Sequence, residues 1–400
     1  MRIAIHDYGG YAFIVGLSRA LARRGHQVIH MFATRNPTPH GRLETQSDDP
    51  PSFEVKGIAI RAPLQKYRFF TRFLQEREYG KRLAEHTRSW RPDIVVSANA
   101  PLDSQRQLFT TCERNGIPFV FWVQDLIGDA MRRILTGRFG LAGRWLGDAY
   151  GRRERRMISR SSAIVAISQA FAERLIAMDV PGGRVHVIPN WAPLDELPLL
   201  PKKNPWSMAM GLDGTFNFLY AGSLGLKHDP SVLLDLARAL QTDERAREVV
   251  VSEGLGASWL ANELTRAGLE KTILLPYQPM DEFPQVLASA DVLIGLLEAD
   301  ASEYSVPSKV LSYLCAGRPL VLAMPEDNPA AQVVQEAEAG IVVGAGDGEA
   351  LVREALALQR DDSRRQAMGQ AGRAFAESRF DLDAVADRFE AILRQSVSGG

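Results

Sequence analysis

Short apolar runs alternate along the chain with amphipathic stretches, and that alternation predicts strands and helices in turn. In the first half, "RIAI", "QVIHMF", "DIVVSA", "PFVFWV", "AIVAIS" and "VHVIPN" read as strands. Between them, "FIVGLSRALARRG" and "EREYGKRLAEHTRSW" place apolar residues at about every third or fourth position, the period of a helix with one buried face. Repeated strand–helix–strand units build a parallel sheet. Prolines at 189, 193, 198, 201 and 205 then crowd a stretch that neither a helix interior nor a central strand tolerates, so residues 191–206 are expected to be a linker. The pattern restarts beyond it. "FNFLYAG", "REVVVSEG", "TILLPY", "DVLIGLL", "PLVLAM" and "GIVVGA" are expected strands. Helices are expected near 230–241, 257–268, 281–290, 308–316 and 328–338, with a last one in "LDAVADRFEAILRQ". The fold class this implies is α/β, with two Rossmann-like doubly wound domains, 1–190 and 207–380, facing a central cleft. Ligands in such sheets bind beyond the carboxyl ends of the strands, so the loops there carry the chemistry.

The 400-residue length agrees with two domains, because single cores seldom grow past about 250–300 residues. The net charge of −1 hides an asymmetry: residues 1–200 hold 29 Lys and Arg against 19 Asp and Glu, and residues 201–400 hold 18 against 29. A basic half suits nucleic acid, an anionic membrane, or simply a complementary domain face. Cys112 and Cys315 form neither a disulfide framework nor a metal-ligand pattern, which fits a reducing compartment. The chain opens directly on a strand and turn, so no signal peptide is expected, and no apolar run approaches the roughly 18 residues of a spanning helix. A cytoplasmic protein is expected, with peripheral attachment to the inner membrane left open.

Four loops could carry chemistry. In "HDYGGYAF", Gly9 and Gly10 follow the first strand and allow close backbone approach, either to a ligand or in a tight turn. In "YAGSLGLKHDPSVLL", Gly222, Ser223 and Gly225 precede Lys227 and His228, which suits a phosphate or a plain helix start beside an exposed lysine. In "EYSVPSKVLSYLCAG", Pro307 sets a turn and Ser308 and Lys309 open a helix that Gly317 ends. A lysine is disfavoured in a first helical turn, so a bound anion would explain it better than chance. Two such lysine loops in one domain would suit a pyrophosphate. In "FVFWVQDLIG", Asp125 could orient or deprotonate an acceptor hydroxyl, or cap the next helix, and Gln124 could hydrogen-bond a sugar hydroxyl.

With these loops in place the chain resembles the family-4 type of retaining glycosyltransferases with the GT-B fold, closest to a subgroup of bacterial exopolysaccharide and O-antigen assembly. The resemblance runs nearly end to end, through "GGYAFIVGLSRALARRGHQV", "RPDIVV", "FVFWVQDL", "AIVAISQAFAERL", "VIPNW", "YAGSLGLKHDP", "ADVLIGLL", "VPSKVLSYLCAGRPLVLA" and "AGIVV". It implies a nucleoside-diphosphate sugar, UDP or GDP, on the second domain. Its phosphates would meet Lys227, Ser308 and Lys309, with the backbone near Gly222 and Ser223 assisting. Tyr277 and Gln278 would lie by the base, the Gly9–Gly10 loop would approach the diphosphate, and residues 381–400 would form a helix crossing back to the first domain.

The sequence also departs from the family pattern. Many members carry two glutamates eight positions apart here; Ser312 stands in place of the second, which binds the ribose, and could still hydrogen-bond a ribose hydroxyl, while Tyr304 stands in place of the first, a catalytic role that Glu303 beside it would take if the loop shifts by one residue. Gln124 replaces a common histidine. The implied reaction is retaining transfer without metal or other cofactor, the lysines stabilising the departing diphosphate. "DLD" at 381–383 is expected to cap the last helix rather than bind a metal. The acceptor would be a saccharide, most simply a lipid-linked one. "KYRFFTRFLQEREYGKRL" (66–83) and "GRRERRMISR" (151–160) mix basic with apolar residues, as an anionic membrane surface or a solvated face over a core would. Nucleic acid is not expected, since no recognised module accompanies the charge. Two other readings fit the same fold: a sugar-nucleotide epimerase, for which carboxylates and histidines are scarce, and a non-catalytic sugar-nucleotide-binding subunit.

Overall fold

The structure is a computed structural model that describes residues 1–34, 40–61, 69–98, 100–225, 228–301 and 307–399. It divides into two compact units, Met1–Asn190 with Leu382–Gly400, and Trp191–Asp381. The first contains β1 (Arg2–Asp7), α1 (Ala12–Arg23), β2 (Gln27–Ala33), β3 (Phe53–Ile58), α2 (Phe69–Trp90), β4 (Ile94–Ala98), α3 (Leu102–Arg114), β5 (Phe119–Val123), α4 (Ile127–Arg160), β6 (Ala163–Ala166), α5 (Gln169–Ile176) and β7 (Val185–Val187). Its strands pair in parallel in the order β3-β2-β1-β4-β5-β6-β7. The order reverses between β1 and β4, where Ile3 pairs with Ile94 and Asp7 with Ala98. The loop after β1 therefore opens at the switch point, the place where such sheets accept ligands.

The second unit contains α6 (Pro205–Ala209), β8 (Phe216–Ala221), α7 (Ser231–Ala239), β9 (Ala246–Val251), α8 (Leu255–Ala267), β10 (Thr272–Leu275), α9 (Phe283–Ala288), β11 (Val292–Leu296), α10 (Lys309–Cys315), β12 (Leu320–Ala323), α11 (Pro329–Glu336), β13 (Gly340–Val343), α12 (Gly348–Arg360) and α13 (Asp362–Arg379). Its parallel order is β10-β9-β8-β11-β12-β13, with the switch point between β8 and β11. Both sheets are covered on both faces, which is why β4, β5 and β11 are buried at every position and read as mainly apolar runs. The chain then returns to the first unit through α14 (Leu382–Ser398), which packs on α1.

The proline-rich segment 191–206 differs from a free linker, because it lies in the second unit. Trp191, Leu197 and Trp206 are buried, and Asn204 both caps α6 and donates to the Gln285 carbonyl at 3.1 Å. Prolines exclude regular structure there without excluding burial.

One buried group sets a pH dependence. Glu248, on β9, accepts a hydrogen bond from the Thr272 hydroxyl at 2.8 Å, while its other oxygen has no partner among the described residues. Burial pushes its carboxyl up to about 8. The folded protein therefore holds a proton there that the unfolded chain releases near pH 4.5, so the contribution of this group to stability falls as pH rises from about 4.5 to about 8. Glu248→Gln is expected to flatten that part of the profile, read as Tm at pH 6 against pH 8.5. An unchanged slope would place the titration elsewhere.

Candidate active site

At the end of β8, in the second unit, the backbone turns through Gly222, whose φ of 143° disfavours any side chain. A Cβ there would come within 2.9 Å of Lys309 Cε and 3.0 Å of its Nζ. Bare backbone thus lies directly against the lysine. Two tyrosines fix this arrangement. Tyr313 Oη accepts the Ala221 N–H at 2.8 Å and donates to the Ala221 carbonyl at 2.9 Å, docking α10 on the strand end. One helical turn earlier, Lys309 Nζ donates to Tyr220 Oη and lies 3.9 Å from that ring's centroid. Tyr220 Oη in turn donates to the Ser223 carbonyl at 2.9 Å.

The ammonium is enclosed although the residue as a whole is only half-buried. No carboxylate pairs with it among the described residues. Desolvation therefore lowers its pKa from 10.5 to about 7. Such a lysine is expensive to keep charged alone and gains most from an arriving anion.

The other sequence-expected residues of this unit fall differently. Lys227 and Glu303, with Tyr304, lie outside the described residues. Ser308 is the exposed N-cap of α10 and makes no side-chain cap bond; Pro307 is buried and its carbonyl accepts the Val310 N–H at 3.2 Å. Ser312 is half-buried on the same helix. His228 Nδ1 accepts the Gly225 N–H at 3.3 Å, which closes the loop after β8. Tyr277 N–H reaches Glu253 at 3.4 Å. Gln278, expected beside the base, has its amide engaged within the unit: it accepts Trp206 Nε1–H at 3.0 Å and donates to the Pro276 carbonyl at 2.9 Å.

In the first unit, the loop after β1 is built on Asp7, which the sequence reading passed over. Its buried carboxylate accepts the N–H groups of Gly9 and Tyr11, and burial pushes its carboxyl up to about 7. Gly10 has φ 67°, its carbonyl accepts Gly41 N–H at 2.7 Å, and His40 Nδ1 donates to the Gly9 carbonyl at 2.7 Å. An acid two residues before a Gly-Gly pair was the available signal. Beneath the loop, His6 bridges Ser97 and Tyr79 at 3.0 Å each; burial lowers its pKa to about 3, so it is neutral.

After β5, Gln124 forms a reciprocal amide pair with Asn190, at 3.1 and 2.6 Å. That pairing ties the motifs "VQD" and "VIPN" together and holds the Gln124 amide in place. Asp125 is not the cap of α4. The first N–H groups of that helix, from Ile127 and Gly128, are met by Glu154 at 3.0 and 2.9 Å. Asp125 lines a small hollow with the polar Gln105, Gln124 and Glu154 and the apolar Phe121, Trp122 and Ile127. Among the described residues no group of three or more His, Cys, Asp or Glu is placed to hold a metal ion.

Residues 9–191 match the model of the glycosyl transferase 4-like domain, and residues 211–375 that of glycosyl transferases group 1. The chain is a glycosyltransferase of the GT-B type. Similar solved structures agree on the fold of this glycosyltransferase. Anabaena HepE in complex with UDP-glucose aligns over 100% of both chains at 16% identity and a TM-score of 0.70. Sucrose-phosphate synthase from Thermosynechococcus elongatus aligns over 100% of both at 13% and 0.73. WaaG, a glycosyltransferase involved in lipopolysaccharide biosynthesis, does so at 15% and 0.69. No curated protein sequence matches the chain significantly.

Proposed function

We propose that this glycosyltransferase moves a sugar, with retention of configuration, from a UDP- or GDP-sugar to a saccharide acceptor, most simply a lipid-linked one in surface polysaccharide assembly. The observation that carries the reading is Lys309, an enclosed ammonium without a carboxylate partner among the described residues, lying on the bare backbone of Gly222. The similar HepE structure, described with UDP-glucose, and WaaG, described by its part in lipopolysaccharide biosynthesis, support the donor and acceptor classes.

In this reading the bond from the anomeric carbon to the diphosphate breaks, and a bond from the acceptor oxygen forms on the same face. The acceptor proton passes to a departing phosphate oxygen. Lys309 turns from Tyr220 to the diphosphate and stabilises the charge that develops there, with Lys227 proposed for the same task. Ser308 and the Gly222–Ser223 backbone assist, Ser312 and Glu303 are proposed for the ribose and sugar hydroxyls, and Tyr277 for the base. Asp125 is proposed to orient the acceptor hydroxyl on the first unit.

Incubation with a panel of UDP- and GDP-sugars, with and without membrane-extracted glycolipid, tests this. Acceptor-dependent release of the nucleoside diphosphate, with the donor's anomeric configuration kept in the product, is expected. A changed sugar still on its nucleotide would indicate epimerisation, and binding without turnover a supporting subunit; either would overturn transfer.

A further inference from the structure

The first unit carries a projecting element that donor chemistry does not use. α4 is bent on itself at Gly140, whose φ of 56° and ψ of −133° break the helix into two antiparallel arms. The arms touch backbone to backbone. A Cβ on Gly143 would lie 1.8 Å from the Leu135 carbonyl oxygen, one on Gly147 2.3 Å from Arg132 Cα, and one on Gly128 2.9 Å from Gly151 Cα. Such close packing leaves little room between the arms for large side chains, so apart from the buried Leu135 those near the bend are exposed.

They are apolar. Leu141 and Trp145, one turn apart on the same face, are each 77% exposed, and Ile134 is 53% exposed; Phe139 and Leu146 are exposed beside them. A surface helix in water normally puts charged residues there. Between Met131 and Leu146 every charge is positive, from Arg132, Arg133, Arg138 and Arg144, with no Asp or Glu. All four arginines are exposed, Arg138 stacks 5.6 Å from the Phe139 ring, and Arg132 reaches back to Asp148 at 3.1 Å.

We propose that the tip of this hairpin docks on an anionic lipid bilayer, with Trp145 and Leu141 entering the interface and the arginines on the headgroups. Tryptophan favours that depth, and arginine can extend its stem over apolar surface while its head meets phosphate. Charge complementarity favours this occupant over a second copy of the chain, because a positive tip repels its twin. Five side chains on one tip also fall short of the roughly 800 Å² per partner that a stable protein interface buries. The basic run 151–160 lies on the second arm, where Glu154, Met157 and Ile158 are buried, so the insertion falls on 134–146 and not on that run. Docking by this tip is independent of what the second unit binds.

Co-sedimentation of the full chain with phosphatidylcholine vesicles, with and without phosphatidylglycerol, tests the proposal. The protein should bind the anionic vesicles at least about tenfold more tightly than the neutral ones. Leu141→Glu/Trp145→Glu and Arg133→Gln/Arg138→Gln/Arg144→Gln should each lose about tenfold or more, with the thermal transition unchanged. In the wild-type chain, vesicles of brominated lipid should quench part of the tryptophan fluorescence, a readout that needs no variant. Wild-type protein left in solution beside anionic vesicles would overturn the proposal. So would variants that bind as wild type, or a wild-type dimer that Leu141→Glu/Trp145→Glu dissociates.

Discussion

Phe389→Ala is expected to destabilise the first unit by about 3–5 kcal/mol, the usual cost of removing a fully buried aromatic side chain. Phe389 lies on α14 with no exposed surface, its ring 4.7 Å from that of Trp122 on β5, and Trp122 meets Phe13 of α1 edge-on at 5.9 Å. The last helix is thus a core element of a unit whose other elements end nearly two hundred residues earlier. Val385, Ala386, Ile392 and Leu393 complete its buried face. At its rim Arg24 pairs with Asp383 at 3.2 Å and His26 with Glu390 at 3.1 Å. Arg24→Ala should cost below about 1 kcal/mol, because Asp383 and Asp387 are exposed and the less exposed Glu390, 3.5 Å away, keeps Arg394 and His26 as partners. Urea unfolding of the two variants checks the contrast. Two units need not unfold together, so the transition that moves identifies the unit α14 belongs to. Equal, small shifts in both variants would mean that the helix is dispensable.

The second large effect concerns Lys309. Lys309→Met should lower acceptor-dependent nucleotide release on the order of tenfold to hundredfold, the worth of a hydrogen bond to a charged group. Stability should move the other way or not at all. Because the folded pKa of about 7 lies below the unfolded 10.5, folding expels a proton between these values. The cost of enclosing the ammonium is complete below pH 7 and fades as pH rises toward 10.5. Methionine removes that cost while filling similar space. A variant that is no less stable yet less active by that factor marks a residue kept for function. Activity equal to wild type would remove Lys309 from the site.

The alternation of apolar runs and amphipathic helices made both parallel sheets legible, because strands buried on both faces leave a strong mark in composition. β3 escaped for the opposite reason. "FEVKGI" is an edge strand with a partly exposed face, and its polar residues blur the pattern. The bend of α4 escaped because most apolar residues around it, Ile134, Phe139, Leu141, Trp145 and Leu146, face outward, while Gly143 and Gly147 are buried between the arms, the reverse of the usual helix. At the candidate site Lys309 could be singled out from its unfavourable place in a helix start. Tyr220 and Tyr313, which position it, read as ordinary core aromatics, since only the register of α10 against β8 brings their hydroxyls to the strand end. Gln124 and Gln278 could be chosen as polar residues in the right loops. That their amides are taken by Asn190 and Trp206 depends on contacts 66 and 72 residues away.

Calorimetric titration of UDP and GDP into the wild-type chain and Lys309→Met at pH 6.5 tests the central claim most directly. At that pH the lysine is largely protonated, so one of the two nucleotides should bind the wild type saturably, and the variant ten- to a hundredfold more weakly. Equal affinity in the two proteins, or no binding of either nucleotide to the wild type, would contradict it.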